Sequence, residues 1–276
     1  MSKVLFFDID GTLVNFSGKM PESTLRALHQ ARAKGHKCFI CTGRSYNQIY
    51  SGLLEFGFDG IVAATGSYVE YEGKELVREN FGEQRVKEII ALLGDNGTCM
   101  LFQNKDKSIV ADRWTEGFER AFSDNIKKSD DSENDTFRNL ITDNNIEDYC
   151  KKYSDTESVI YCECPYTLEE LKEKLPQGLK VTPSSFKKPD PYSGEITLAH
   201  TNKATGIQAV MDALGVKRED LIGFGDGAND IDMLEFVGTG VAMGNAQQVA
   251  KDAADIIAEH IDDDGLYKIM QTLELI

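Results

Sequence analysis

The stretch FFDIDGTLV, residues 6–14, decides the fold, because an apolar run ends there in two closely spaced carboxylates. Asp8 and Asp10 are two residues apart, and side chains at that spacing in a strand share one face. Like charges so close raise each other's pKa, and in surroundings poor in water the pair is costly unless a cation compensates it. The stretch therefore predicts a buried strand that ends in two acids in need of a cation.

Further short runs have the character of buried parallel strands, because they are apolar throughout instead of alternating. With the first, they are VLFF (4–7), CFIC (38–41), GIVAA (60–64), LIGF (221–224), GVAM (240–243) and ADII (254–257). Between the first two, PESTLRALHQARAKG has apolar residues at helical spacing, with Pro21 near the start and Gly35 as the stop. Strand, helix and strand in this order predict βαβ units, and hence an α/β fold with a Rossmann-like parallel sheet.

The middle of the chain has a different pattern. It predicts a helix at 84–94, strands at 98–103 and 108–113, an acidic stretch at 129–139, and a helix near 146–153. A strand at 158–164, a helix at 168–175 and a strand at 179–185 follow. We expect one core formed by residues 1–82 and 187–276, interrupted by an inserted α+β domain at 83–186. The segment SFKKPDPYSG, with two prolines, is the predicted return linker.

Composition excludes several classes of function. The 276 residues carry 30 basic and 46 acidic side chains, a net charge of −16, which argues against nucleic acid because a phosphate backbone needs a basic surface. No apolar run reaches the roughly 18 residues of a membrane helix, and the N-terminal apolar stretch is too short for a secretory signal. We therefore expect a cytoplasmic protein with no membrane partner.

Six cysteines raise the question of a metal or redox site. Cys38 and Cys41 have C-x-x-C spacing, but they fall on a predicted strand, where residues three apart point to opposite faces. The remaining cysteines and the four histidines are scattered and lack zinc-ligand spacing. Reduced and mostly buried thiols are the preferred interpretation, and aromatic residues of the insertion such as Trp114, Tyr161 and Tyr166 are expected in its core.

Polar motifs follow the predicted strands. In open parallel sheets, ligands bind beyond the carboxyl ends of the strands, so this coincidence points to one site. The motifs are Asp8-Ile9-Asp10-Gly11-Thr12 after VLFF, Thr42-Gly43-Arg44 after CFIC, Lys203 at the start of a predicted helix, and GFGDGAND, which contributes Asp226, Asn229 and Asp230.

These motifs, D-x-D-G-T, T-G-R, an isolated lysine and G-D-G-x-N-D in this order, resemble those of haloacid dehalogenase (HAD) superfamily phosphatases. The size and place of the insertion are similar to the Cof-like branch, whose type C2B cap lies between the second and third motifs. The resemblance implies a catalytic HAD core and a cap that determines substrate specificity and closes over small substrates. It implies a phosphatase for small phosphorylated metabolites, with sugar phosphates as the favoured class.

The resemblance also implies catalytic and metal-binding roles. Asp8 would attack phosphorus and form an aspartyl-phosphate, and Asp10 would protonate the leaving oxygen and then activate water. Carboxylate oxygens are hard ligands that suit Mg²⁺. The predicted magnesium residues are Asp8, Asp226, Asp10 through its backbone carbonyl, and Asp230, which would orient the metal waters.

The phosphate-binding roles follow in the same way. Thr42 and the Gly43 amide would hold phosphoryl oxygens, and Lys203 would neutralise the charge on them. Asn229 would help to orient Lys203, and Arg44 would either meet the substrate or pair with a carboxylate of the cap.

Alternatives remain at several points. GFGDGAND lacks the spacing of a dinucleotide loop and the sixth-position glycine of an EF-hand. The superfamily's transport ATPases resemble D-K-T-G-T at the first motif, without the second carboxylate, so Asp10 indicates a hydrolase. A phosphomutase with a similar cap, or a regulator that binds sugar phosphates without turnover, stays open. At residues 64–67 this chain has ATGS, where sequences of the family resemble N-G-A. The resemblance therefore does not decide which substrate contacts are made at these residues.

Overall fold

The fold is described from a computed structural model, which covers residues 2–111, 113–117, 120, 140–142, 150–183 and 190–276. The predicted acidic stretch 129–139, most of the predicted helix 146–153 and part of the predicted linker 185–194 lie outside these residues. The chain divides into two compact units. The first comprises residues 1–43, 56–77 and 202–276, and the second comprises residues 44–55 and 78–201.

The first unit contains most of an eight-stranded sheet in the order β14-β13-β12-β1-β2-β3-β4-β5. Six of its strands are parallel and coincide with the six predicted apolar runs. The strands are β1 (Val4–Phe7), β2 (Lys37–Cys41), β3 (Gly60–Ala63), β4 (Tyr68–Tyr71), β5 (Lys74–Arg78), β12 (Leu221–Gly225), β13 (Thr239–Ala242) and β14 (Ile256–Ile257). The predicted α/β fold with a parallel sheet is confirmed.

The sequence did not predict β4 and β5, which extend one edge of this sheet. β4 runs antiparallel to β3 and begins with two buried residues, but its second half is only half-buried, and most of β5 is exposed. Such an edge has no continuous apolar run, because one face and one side of the outer strand meet water. Hydrogen bonding to a neighbouring strand, rather than a local pattern, therefore defines these two strands.

Helices of the first unit follow its strands. They are α1 (Glu22–Ala33), α5 (Lys203–Leu214), α6 (Ile231–Phe236), α7 (Gln248–Ala253) and α8 (Gly265–Thr272). α1 has the predicted position and packs against α8. α5 begins at a capping box in which the Asn202 side chain accepts a hydrogen bond from the Thr205 amide, and it ends at Gly215 in the left-handed conformation. The cap determines that Lys203 is the first residue of α5.

Strand order places the polar motifs together. From β1 the chain continues to β2 and β3 on one side, whereas β12, β13 and β14 lie on the other. Phe7 is paired with Phe224 of β12 and with Ile40 of β2, so the segments that follow these three strands leave the sheet at the same edge. A crevice forms where the order of the strands reverses in this way, and ligands of open α/β sheets bind there.

The second unit has its own six-stranded mixed sheet, in the order β10-β11-β9-β6-β7-β8. Its strands are β6 (Cys99–Gln103), β7 (Ser108–Val110), β8 (Leu140–Thr142), β9 (Ser158–Cys162), β10 (Leu179–Pro183) and β11 (Gly194–Leu198). Its helices include α2 (Ser51–Phe56), α3 (Gly82–Leu93) and α4 (Leu168–Lys174). Buried residues of this sheet and of α3 form one core, to which Trp114 and Tyr161 belong, with Tyr166 packed against it, as predicted.

The predicted domain boundaries differ from this division at three places, the smallest of which is at residues 78–82, predicted as core but part of the second unit. The sequence placed the return to the core at residue 187, but the second unit continues to Thr201, because β11 pairs with both β9 and β10. Residues 44–55, predicted as core, also belong to the second unit, in which the Asn47 amide donates a hydrogen bond to the Asn104 carbonyl. The two larger differences result from long-range contacts that no local sequence pattern predicts.

Within the described ranges, no helix has the length and apolar character needed to cross a membrane. All six cysteines are free thiols, and only Cys150 among them is not buried.

Candidate active site

A buried ion-pair network lies at the carboxyl edge of the parallel sheet. The ammonium group of Lys203 is fully buried and lies 2.5 Å from an oxygen of Asp8 and 2.5 Å from an oxygen of Asp230. Asp8 directly follows β1, and its amide donates to the Phe224 carbonyl of β12 at 2.9 Å. The structure thus brings residues from three distant parts of the chain into direct contact, as the motif pattern predicts.

Asp230 is held at both oxygens by the protein. One oxygen accepts from Lys203, and the other accepts from the amides of Asp226 and Gly227, at 2.9 and 2.8 Å. A carboxylate with this set of donors favours a positioning role, in which it aligns Lys203 and closes the loop that carries Asp226. The predicted role of Asp230 as a metal residue stays a prediction.

Asp226 has few protein donors by comparison. Its carboxylate accepts one long hydrogen bond, 3.4 Å, from the Thr12 hydroxyl. Oxygens of Asp8, Asp226 and Asp230 lie within 4.8 Å of one another, and all three residues are buried. Among the described residues, this cluster therefore presents carboxylate oxygens that the protein itself does not saturate.

The carboxyl groups have pKa values far from their ordinary range. Burial raises the pKa of Asp8 to about 7, with Lys203 opposing this shift and Asp230 and Asp10 adding to it. Burial, followed by the charges of Asp8 and Asp230, raises the pKa of Asp226 to about 8. Burial alone would lower the pKa of Lys203, but the neighbouring carboxylates outweigh it and raise that pKa. The site therefore has excess negative charge, which a divalent cation would relieve.

Thr42, Gly43 and Asn229 lie beside this network. Thr42 follows β2, is buried, and donates its amide to the Val62 carbonyl of β3 at 2.8 Å. A Cβ atom placed on Gly43 would lie 3.5 Å from the Asn229 side-chain nitrogen, so the two segments are adjacent. The structure thus brings together two of the predicted phosphate-binding segments, and the individual roles stay predictions.

Arg44 belongs to the second unit and contacts its own segment. Its guanidinium group donates to the Tyr50 hydroxyl at 2.9 Å and lies 4.7 Å from the centre of that ring. Its two predicted contacts, with the substrate or with a carboxylate of the cap, stay predictions.

Three contacts at the site were not predicted from the sequence. The Asn245 side chain donates to the Gly11 carbonyl at 2.8 Å and accepts from the Ile261 amide at 3.1 Å, which fastens the loop after β1 to the C-terminal part of the chain. Gly11 has φ +83°, and Thr12 donates to Asp226. For the turn at Gly11, the Asp-Gly pair, which is typical of turns, was a signal in the sequence. For the contacts of Asn245, the only signal was the position of this residue in a loop after a strand.

Comparison with known proteins gives the family of this chain. The sequence profile of the haloacid dehalogenase-like hydrolases matches residues 5–270. The chain belongs to this family. Its relatives include YkrA of Bacillus subtilis, which is 29% identical over 100% of this chain and 99% of its own length. 5-Amino-6-(5-phospho-D-ribitylamino)uracil phosphatase YcsE, also of Bacillus subtilis, is 28% identical over 98% of this chain and 94% of its own length.

A solved structure agrees with this HAD assignment. The HAD subclass IIB sugar phosphatase BT4131 has a TM-score of 0.80 and 30% identity, and the alignment covers 100% of both chains. The prediction that this chain is a HAD-family phosphatase with an α/β core is confirmed.

Proposed function

We propose that this HAD phosphatase is a Mg²⁺-dependent phosphomonoester hydrolase for small phosphorylated metabolites, with sugar phosphates as the substrate class. The observation that carries the proposal is the buried contact of Lys203 with Asp8. It lies beside the carboxylate of Asp226, which accepts only one long hydrogen bond from the described residues. The sugar phosphatase BT4131, similar over its full length, supports the substrate class.

The donor set fits magnesium. Asp8 and Asp226 offer hard oxygen ligands, and Mg²⁺ binds through one or two carboxylates while it keeps several waters. When bound there, the ion would lower the negative charge that a phosphate ester meets in the site. Asp230, already held by Lys203 and two amides, would position these ligands instead of binding the ion directly.

With the ion bound, the residues of this chain would carry out a two-step hydrolysis. An oxygen of Asp8 attacks phosphorus in line, and the bond from phosphorus to the leaving oxygen breaks as Asp10 gives that oxygen a proton. Asp10 then takes a proton from water, which attacks phosphorus and releases inorganic phosphate with regenerated Asp8. Lys203 stays beside Asp8 and offsets charge on the phosphoryl group.

Phosphate release tests this function. We expect the purified protein to hydrolyse p-nitrophenyl phosphate and a subset of phosphorylated sugars in Mg²⁺, to stop in EDTA, and to recover when Mg²⁺ is returned. Isomerised sugar phosphate in place of free phosphate would indicate the mutase, and saturable binding without turnover would indicate the regulator. Either result would contradict the hydrolase.

Asp10→Asn tests the proton-transfer role. We expect kcat to fall by about 10²- to 10⁴-fold with alkyl or sugar phosphates, the usual contribution of general acid catalysis. The loss should be smaller with p-nitrophenyl phosphate, whose leaving group needs no proton. Steady-state kinetics with both kinds of ester measures the difference, and equal losses would remove Asp10 from the acid role.

Gly11→Ala tests the link between the first loop and Asp226. A Cβ atom at Gly11 would lie 2.5 Å from the carboxyl carbon of Asp226, so the carboxylate must move. We expect Mg²⁺ affinity to fall about 10- to 100-fold, as when groups that support metal ligands are changed. Calorimetric titration of Mg²⁺ measures this affinity.

Gly35→Ala is the matched control for that variant. Gly35 has φ +85°, almost the same as Gly11, but nothing lies within 4 Å of its would-be Cβ atom. Both variants carry the same backbone strain, so both should lose thermal stability. Only Gly11→Ala should lose Mg²⁺ affinity, and equal affinities in the two variants would contradict the proposed Asp226 site.

A further inference from the structure

The loop between β3 and β4 has an unusual backbone. Ala64, Thr65 and Gly66 follow one another with φ values of +46°, +53° and +88°, all in the left-handed region. Glycine adopts this region freely, but a β-branched residue such as threonine is an outlier there. Strain of this kind persists only where the surroundings impose it, and it is concentrated at functional sites.

Elements of the active site hold this loop in place. The Thr65 amide donates to the Thr42 carbonyl at 3.2 Å, which ties the loop to the segment after β2. A Cβ atom on Gly66 would collide with the Asn202 carbonyl, so the loop lies directly against the start of α5, where Lys203 is located. The position of Thr65 is therefore defined by the same segments that carry the catalytic and phosphate-binding residues.

The Thr65 hydroxyl faces the phosphate-binding segment. Its oxygen lies 3.6 Å from the Cβ position of Gly43, and the Asn229 side-chain nitrogen lies 3.5 Å from that same point. Thr65 is half-buried, and its hydroxyl has no hydrogen-bond partner in the part of the chain that the structure describes. A donor held beside Gly43 and left without a protein acceptor is suited to a ligand oxygen.

The turn itself does not require threonine. Glycine or asparagine would take the left-handed conformation at lower cost, and neither would supply a hydroxyl at this point. What threonine adds is the hydroxyl group, held by a side chain whose branching restricts its rotation. The hydroxyl is therefore the feature of Thr65 that the chain reversal does not account for.

We propose that Thr65 is a substrate-binding residue whose hydroxyl donates a hydrogen bond to a phosphoryl oxygen. This inference rests on the proposed phosphatase function, and it adds a third segment to the two already expected to hold phosphate. Thr65→Val, which keeps the shape and the backbone strain but removes the hydroxyl, is the decisive variant.

Binding of inorganic phosphate in Mg²⁺, measured by calorimetry, and turnover of p-nitrophenyl phosphate test the proposal. For Thr65→Val we expect the Kd for phosphate and the KM for the ester to rise about 10- to 100-fold, as for a lost hydrogen bond to a charged group. Thr65→Ser should stay within about threefold of the wild type. Thr239 is the first residue of β13 and lies at the amino end of that strand, away from the carboxyl edge of the sheet where the site is located. Thr239→Val should therefore leave both constants unchanged.

Thr65→Gly separates binding from a structural role. Glycine removes the hydroxyl and relieves the strain, so we expect the same loss of phosphate affinity with a Tm no lower than that of the wild type. A Tm loss with unchanged phosphate affinity would overturn the proposal, as would a raised KM for the ester with an unchanged Kd for phosphate. If the wild type itself neither hydrolyses the ester nor binds phosphate, the proposed function fails before any variant is compared.

Discussion

Asp8→Asn is expected to abolish phosphatase turnover and to leave the protein folded. The amide has nearly the shape of the carboxylate, but it is a poor nucleophile and would not form the aspartyl-phosphate. We expect kcat for p-nitrophenyl phosphate to fall by at least about 10⁴-fold, which corresponds to more than about 5 kcal/mol of transition-state stabilisation. Steady-state assays at saturating Mg²⁺ measure this loss.

The pKa of Asp8 gives the direction of the accompanying stability change. Because burial raises this pKa to about 7, the folded protein holds the proton more tightly than the unfolded chain does. Ionisation of Asp8 therefore opposes folding as the pH rises from about 4 to about 7. A neutral asparagine avoids this cost, so without metal we expect the variant's Tm at pH 8 to equal or exceed that of the wild type.

The control for Asp8→Asn is the same change at an exposed acid. Asp212 lies exposed on α5, and Asp212→Asn should leave both kcat and Tm close to those of the wild type. Asp8→Asn protein with substantial turnover would exclude Asp8 as the nucleophile. A large fall in its Tm at pH 8 would contradict the electrostatic account of the site.

Lys203→Met is expected to have the largest effect on stability. Lys203 is fully buried between Asp8 and Asp230, and its ammonium is the cation that both of these carboxylates contact. Removal of one partner from a buried ion pair leaves uncompensated charge and costs about 3–5 kcal/mol. We expect the free energy of unfolding at pH 8, measured by urea titration without metal, to fall by about this amount.

The effect of Lys203→Met should depend on pH. Without the ammonium, the pKa values of Asp8 and Asp226 rise beyond the already raised values of about 7 and about 8. A raised carboxyl pKa in the folded state means that stability falls as pH increases through the interval between the unfolded and folded values. The loss relative to the wild type should therefore be smaller at pH 5.5 than at pH 8.

Lys217→Met provides the comparison, because Lys217 is exposed shortly after the same helix. It should change the free energy of unfolding by less than about 0.5 kcal/mol at either pH. A loss for Lys203→Met that is the same at both pH values would show that packing of the lysine stem, and not its charge, accounts for the destabilisation.

The sequence alone predicted much of this protein, because several of its signals are local. Six apolar runs without alternation predicted the parallel strands, and the acids and glycines that follow them predicted the position of the site. Asp8, Asp226 and Lys203 were identified before any contact between them was known, since each directly follows a strand or begins a helix. These signals depend only on neighbours along the chain, and they sufficed for the fold class and the family.

Tertiary structure decided which contacts these residues make. It showed that Asp230 has both oxygens bound by protein donors, that Asn245 fastens the first loop, and that Thr65 holds a strained conformation beside Gly43. It also placed β11 in the second sheet, beyond the boundary that the sequence suggested. Each of these features depends on groups that are far apart in the chain. A local sequence pattern does not determine which distant donor, acceptor or strand a residue contacts in the folded protein.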